Sequence, residues 1–246
     1  MCVPQRGMQV FIHILEYPPS AFTKGRGLRK HDGMSGALFL SFEGSEGVGK
    51  STQVHLLAGR LEALGGTVLK TREPGGTKVG ETVRNLLQHS EEGRGMSPEA
   101  ELLLFSASRA ELVRKLILPA LAAGTHVISD RFVDSTVVYQ GEGRGLNPDA
   151  VGQVSAFATG GRLPDLTFVL DLPVEIALAR LATRHSAAAF DRFEELPVAF
   201  FKRVRAGYLE LAAREPNRIS VIDAAQSPEA ISEMIWSRVE ARLNGC

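Results

Sequence analysis

Between Phe42 and Gln53 the chain reads FEGSEGVGKSTQ, with Gly44, Gly49, Lys50 and Ser51 in the spacing G-x-x-x-x-G-K-S. Glycines at that spacing let the backbone of Ser45, Glu46, Gly47 and Val48 curl, so that its N–H groups converge on an anion. A helix opening at Lys50, Ser51 and Thr52 adds the positive end of its dipole. Lys50 would reach the outer phosphates of a nucleotide, and Ser51 would offer its hydroxyl to magnesium. The loop reads as a nucleotide site. Further along, VISDRFVDST places Asp130 and Arg131 together. The aspartate suits a magnesium ion opposite Ser51, and the arginine suits a bidentate hold on phosphate, although an Asp-Arg step is as often a surface ion pair. KTREPGGT supplies Arg72 ahead of a Pro-Gly-Gly turn, which could receive a second phosphate or be a turn and no more. LLLFSASRAEL sets Phe105 and Arg109 four apart on one helix face. By default they are a core residue and a solvated charge; together they could stack on a base and hydrogen-bond its edge.

These groups need elements that hold them. ALFLSFE ahead of the loop is a short apolar run that reads as a buried strand, and TVLKTRE, THVISD, LTFVLDL and RISVIDA give four more. Helical spacing of Val54, Leu57, Leu61 and Leu64 follows the loop and stops at Gly65-Gly66. Other helices are expected at ETVRNLLQH, VGQVSAFATG, PVEIALARLATR, LPVAFFKRVRAGYLELAARE and from Ser227-Pro228-Glu229. A long one opens with Ser97 as cap and Pro98 in first place, and Pro119 should kink or break it. Five apolar strands separated by helices predict an α/β fold: a five-stranded parallel sheet with helices on both faces. Ligands then bind beyond the carboxyl ends of the strands, at Glu43, Arg72-Glu73, Asp130-Arg131 and Asp171.

At 246 residues and 44% hydrophobic content, the chain forms one domain with a core that needs no disulfides. Cys2 and Cys246 fit neither a disulfide framework nor a zinc site, and point to a reducing, cytoplasmic setting. Basic and acidic side chains balance at 28 each, so no overall field attracts nucleic acid. No apolar run reaches membrane-spanning length, so no membrane partner is expected. Residues 1–33 lack a clean period, hold a Pro-Pro step and end in KGRGLRKHDG before Met34. They read as a disordered or non-native N-terminal extension ahead of a domain over 34–246, with a targeting signal as the alternative.

The set FEGSEGVGKST, TREPGGT, LLLFSASR, DRFVDSTVVYQGEGRGL and LDLPVEIALAR, in this order, resembles thymidylate kinase of the bacterial type, from about Ala37 to the C-terminus. The resemblance implies the nucleoside-monophosphate-kinase form of the phosphate-loop fold with a short lid at about 184–196. It implies transfer of the terminal phosphoryl group of ATP to dTMP, with Mg2+, and a homodimer. Glu46 matches an acidic residue that reads the acceptor's 3′-hydroxyl, which would explain a carboxylate beside phosphates. Arg72 and Arg131 match positions holding the acceptor phosphate, with Arg131 also steering the transfer alongside Lys50. Phe105 matches the aromatic that stacks on thymine, and Arg109 the arginine on its carbonyl edge. Ser135, Thr136, Tyr139 and Gln140 match the stretch lining the nucleoside, where Tyr139 crowds the 2′ position. Some relatives carry a catalytic arginine in the loop where Gly47 stands here. The bacterial type uses lid arginines instead, and Arg192, in DRFE, and Arg184 match that role. The alternatives are a deoxynucleoside kinase, which TREPGGT argues against, and a non-catalytic nucleotide-binding regulator, which has no use for Phe105, Arg109 and Tyr139.

Overall fold

A computed structural model describes residues 36–184 and 192–245. The expected N-terminal extension over 1–33 and residues 185–191 of the expected lid lie outside the described residues, as does the side chain of Arg184. The five strands are β1 (Phe39–Glu43), β2 (Val68–Arg72), β3 (His126–Asp130), β4 (Leu166–Asp171) and β5 (Ile219–Asp223). They form one parallel sheet in the order β2-β3-β1-β4-β5. β1 is central and buried along its whole length, as its near-continuous apolar run requires. Register brings the site together: Phe42 pairs with Asp130, and Arg72 with Asp130 on the other side of β3.

Side chains alternate across the sheet. Leu40 and Phe42 face one side, where α1 (Lys50–Ala63) contributes Leu57 and Leu61 and the last helix contributes Trp236. Phe39 and Val127 face the other side, against Leu112 and Ile117 of the long helical segment. The helices are α2 (Lys78–Gln88), α3 (Pro98–Leu112), α4 (Leu118–Ala122), α5 (Val133–Thr136), α6 (Pro148–Thr159), α7 (Val174–Arg184), α8 (Val198–Arg214) and α9 (Pro228–Leu243). Ser97 and Ser227 accept hydrogen bonds from Ala100 N and Ala230 N, each at 3.2 Å, so the expected caps form.

Two local expectations need correction. Leu64 does not continue the buried stripe of α1; it sits past the helix end and is 58% exposed. Pro119 does not break the long helix. A π-helical stretch, Val113–Ile117, joins α3 to α4, and its wider turn carries the chain into a proline that cannot donate to the α-ladder. A second π stretch, Val137–Gly143, extends α5 and was not foreseen from periodicity. It places Tyr139 and Gln140 in the wall of a cleft beside Glu46 and Arg131.

Candidate active site

Gly44, Gly47 and Gly49 all have positive φ, at 126°, 73° and 95°. A Cβ on Gly44 would lie 2.6 Å from the Leu170 carbonyl oxygen, and one on Gly47 would run into the Ala177 carbonyl of α7. The loop is thus curled tightly between β4 and α7, which only glycine permits. Lys50 is buried, and its Nζ donates to the carbonyls of Gly44 (3.2 Å) and Ser45 (2.7 Å). Burial lowers its pKa, and the Arg131 charge acts the same way. Val48 anchors the loop in the core at 2% exposure, whereas Ser51 and Thr52 stay exposed. Ser51 Oγ donates to Asp130 Oδ2 at 2.8 Å, so hydroxyl and carboxylate oxygens meet at the mouth of the loop. Hard oxygen donors in this number suit Mg2+, which keeps several waters and takes phosphate oxygens. Among the described residues no group of three or more His, Cys, Asp and Glu could hold a metal by itself.

Arg131 joins this loop to the rest of the cleft. It is the only described non-glycine residue with positive φ, 70°. That strained conformation turns its guanidinium inward. Nη1 donates to Gly44 O (2.8 Å) and Ser135 Oγ (3.2 Å), and Nη2 to Glu46 Oε1 (2.5 Å) and Tyr139 OH (3.3 Å). Burial alone would raise the Glu46 pKa, but the charges of Arg131 and Lys50 outweigh it and hold the carboxyl at about 2. Beneath lies Glu43, fully buried at the end of β1. It accepts from Phe132 N (2.7 Å), Ser135 Oγ (2.6 Å) and Tyr208 OH (2.9 Å). Burial, with Asp134 nearby, pushes its pKa up to about 7. Glu43 thereby fixes Ser135 and Tyr208, the hydroxyls that flank Arg131.

On the far side of Glu46 and Arg131 opens a cleft, partly open to solvent. Phe105, Ser135, Thr136, Tyr139 and Gln140, all expected in the acceptor site, line it. Phe193 faces Phe105 edge-on with ring centroids 5.6 Å apart, so the cleft has two aromatic walls. Pro74 and Gln88 complete it, and Gln88 Oε1 is buried with no hydrogen-bond partner among the described residues.

Arg109 departs from its default reading as a solvated charge. It is 1% exposed and does not line the cleft. Nε and Nη2 donate to Glu73 Oε2 (2.8 and 2.5 Å), Nη1 to Thr136 Oγ1 (2.9 Å) and Nη2 to the Phe132 carbonyl (3.2 Å). Arg72, half exposed, stands outside the cleft and forks over both carboxylate oxygens of Glu81 at 3.0 Å. Arg192 precedes the cleft-lining Phe193: its Nη1 donates to Gly93 O (2.7 Å) and its Nη2 to Glu101 Oε2 (2.9 Å). Its guanidinium lies 4.8 Å from the Phe193 ring centroid. Asp171, expected at the strand edge, pairs bidentately with Arg205 of α8 (2.7 and 2.8 Å). Sequence reasoning missed Phe193, Gln88, Glu101 and Tyr208. Phe193 could have been found from its place beside Arg192; nothing in the spacing marks the others.

The family model for thymidylate kinase matches residues 42–235. A thymidylate kinase of Synechococcus sp. is 52% identical over 206 residues, covering 84% of this chain and 96% of the relative. One from Solidesulfovibrio magneticus is 50% identical over 206 residues, covering 82% and 98%. Among solved structures, thymidylate kinase from Ehrlichia chaffeensis aligns with a TM-score of 0.67 and 34% identity, covering 84% of this chain and 99% of that one. Phosphate loop, aromatic cleft and sequence relationship agree, and the chain belongs to the thymidylate kinase family.

Proposed function

We propose that this chain transfers the γ-phosphoryl group of ATP directly to dTMP, giving dTDP on the way to dTTP, with residues 34–246 as the catalytic domain. The observation that carries the assignment of residues is the seat of Arg131. One guanidinium touches the phosphate-loop carbonyl of Gly44 and the Glu46 carboxylate at the cleft, so it lies between a donor site and an acceptor site. In-line transfer needs positive charge at that junction.

ATP phosphates bind the backbone N–H groups of Gly44–Thr52, and Lys50 leaves its loop carbonyls to meet them. Ser51 and Asp130 would hold Mg2+, which would offset the charge of the transferring phosphates. The base of dTMP stacks on Phe105, whose ring Phe193 braces edge-on, with Thr136 and Gln140 along its edge. Arg109 acts on the carbonyl edge from behind, through Thr136, whose hydroxyl oxygen accepts from its Nη1. Glu46 accepts from the 3′-hydroxyl, and the Tyr139 ring fills the space a 2′-hydroxyl would need. Arg72 exchanges Glu81 for the acceptor phosphate, next to Arg131.

Two observations favour Arg184 over Arg192 for the charge on the migrating group. α7 touches the phosphate loop at Gly47 through Ala177 and Leu181, and Arg184 follows Leu181 by less than one helical turn. Arg192 is engaged at the opposite, base end by Glu101 and Gly93. A homodimer is proposed through α3 and α6, which pack together and expose Leu103 (57%) and Phe157 (84%). Sedimentation velocity tests it. A cytoplasmic location accompanies the activity, since ATP and the nucleotide pool are found there. No described helix is long and apolar enough to cross a membrane.

The test compares acceptors. With ATP and Mg2+ the protein should turn over dTMP and leave thymidine untouched. Preference for thymidine would mean a deoxynucleoside kinase, and slow hydrolysis indifferent to either would mean a regulator.

A further inference from the structure

Glu101 of α3 is 2% exposed and stands behind the cleft wall rather than in it. Its carboxylate gathers four donors. Oε1 accepts from Gln140 Nε2 (3.0 Å) and Arg144 Nε (3.1 Å), and Oε2 from Arg144 Nη2 and Arg192 Nη2, each at 2.9 Å. A carboxylate between two guanidinium groups is an acceptor only, so the Gln140 atom that meets it is the amide nitrogen. Gln140 Oε1 is left over. No described residue donates to it, and it is not closed off from solvent. Since Gln140 as a whole is 2% exposed, the space its oxygen opens on is the cleft that it lines.

We infer that Glu101 is a positioning residue for acceptor selectivity: it orients the Gln140 amide so that a carbonyl oxygen, and no N–H, meets the pairing edge of the base. The inference rests on the assignment of this cleft to the acceptor base. Thymine and uracil carry an N–H donor at ring position 3, whereas the same nitrogen in cytosine is a bare acceptor. An oxygen facing that position attracts the former and repels the latter. The two ends of an amide are nearly alike in shape, so packing cannot choose between them; a charged partner can. Glu101 supplies that choice from outside the cleft.

Glu101→Gln keeps the shape and removes the charge. The new carbonyl takes the Oε2 place, where two guanidinium N–H groups converge, and the new NH2 falls at the Oε1 place, opposite Gln140 and in place of the acceptor for Arg144 Nε. Two amide nitrogens cannot share that contact, so Gln140 turns over and presents its own N–H to the base. The measurement is kcat/KM with dTMP and with dCMP, beside the melting temperature and the KM for ATP. For dTMP, kcat/KM should fall roughly 10–100-fold and the dTMP:dCMP ratio at least about tenfold, the cost of opposing donors in a closed site. The KM for ATP should hold. A purely structural role would depress both acceptors alike, and an unchanged ratio in folded protein overturns the inference. Should Glu101→Gln fail to fold, Glu101→Asp withdraws the carboxylate by about 1 Å, enough to weaken the hydrogen bond. It should move the ratio the same way by a smaller factor, and an unchanged ratio again refutes the idea. Wild-type turnover of dTMP separates the two claims. Its absence would remove the acceptor assignment itself, whereas active wild type with an unmoved ratio would remove only the role of Glu101.

Discussion

Gly47→Ala is the smallest change that tests how the phosphate loop is built. Gly47 has φ 73°, and a Cβ there would collide with the backbone carbonyl of Ala177 and lie 3.2 Å from its carbon. Left-handed backbone costs a residue with a Cβ about 1–2 kcal/mol. Relieving the collision requires α7 or the loop to move, because a carbonyl of a helix ladder cannot swing aside; overpacking of this kind costs about 1–3 kcal/mol. The two together give about 2–5 kcal/mol. For a chain of this size that lowers Tm by roughly 4–20 °C, read by circular dichroism on heating. A variant melting within about 2 °C of wild type would refute the geometry. The same collision limits design. Placing an arginine at this position, as in relatives with a loop arginine, would displace α7 and with it Arg184. Gly47→Arg should therefore fail to rescue Arg184→Ala, and restored turnover would contradict the reasoning.

Other predictions can be tested together. Lys50→Ala should lower kcat by at least about a hundredfold in folded protein, because preorganised charge on transferring phosphate matters on that scale. Phe105→Ala should raise the KM for dTMP and leave that for ATP nearly unchanged; the reverse would mean the two sites are exchanged. Arg184→Ala should lower kcat tenfold or more, whereas Arg192→Ala should act chiefly on the KM for dTMP, and the opposite split would return the catalytic charge to Arg192. Glu43 has an ordinary pKa of 4.5 and a folded one of about 7. Between those values the unfolded chain releases the proton first, so this group makes stability fall as pH rises from about 4.5 to 7 and level off above. Urea midpoints across that range should show a shallower fall in Glu43→Gln, and an unaltered profile would count against the raised pKa. Removing residues 1–33 should leave Tm and kcat within error; a loss of several kcal/mol would show that they form part of the folded unit.

Much of the fold was legible because its signals are local. A charged residue ending an apolar run, as in FLSFE or HVISD, marks both a strand and its ligand-facing end, and Ser-Pro steps mark helix starts. The phosphate loop was legible for the same reason, since spacing and chemistry coincide within eight residues. What spacing cannot show is partnership at long range. Arg109 looked solvated because its helix face says nothing of Glu73, 36 residues earlier. The π stretch over Val137–Gly143 has no periodic signature, yet it decides that Tyr139 and Gln140 enter the cleft. Glu101 sits in a sequence, SPEAEL, that reads as ordinary helix surface; only the fold brings Gln140, Arg144 and Arg192 to it. Leu64 errs in the other direction, since apolar spacing does not show where a helix runs out of sheet to cover.

The central claim is direct transfer between two nucleotides held on either side of Arg131. Incubation of the protein with Mg2+, dTMP and ATP made chiral at its γ-phosphorus by oxygen isotopes tests it in one measurement. The predicted product is dTDP carrying the label in its terminal phosphoryl group, with configuration at phosphorus inverted, as a single in-line displacement requires. Label released as inorganic phosphate regardless of dTMP, or dTDP formed with retention, would contradict the account.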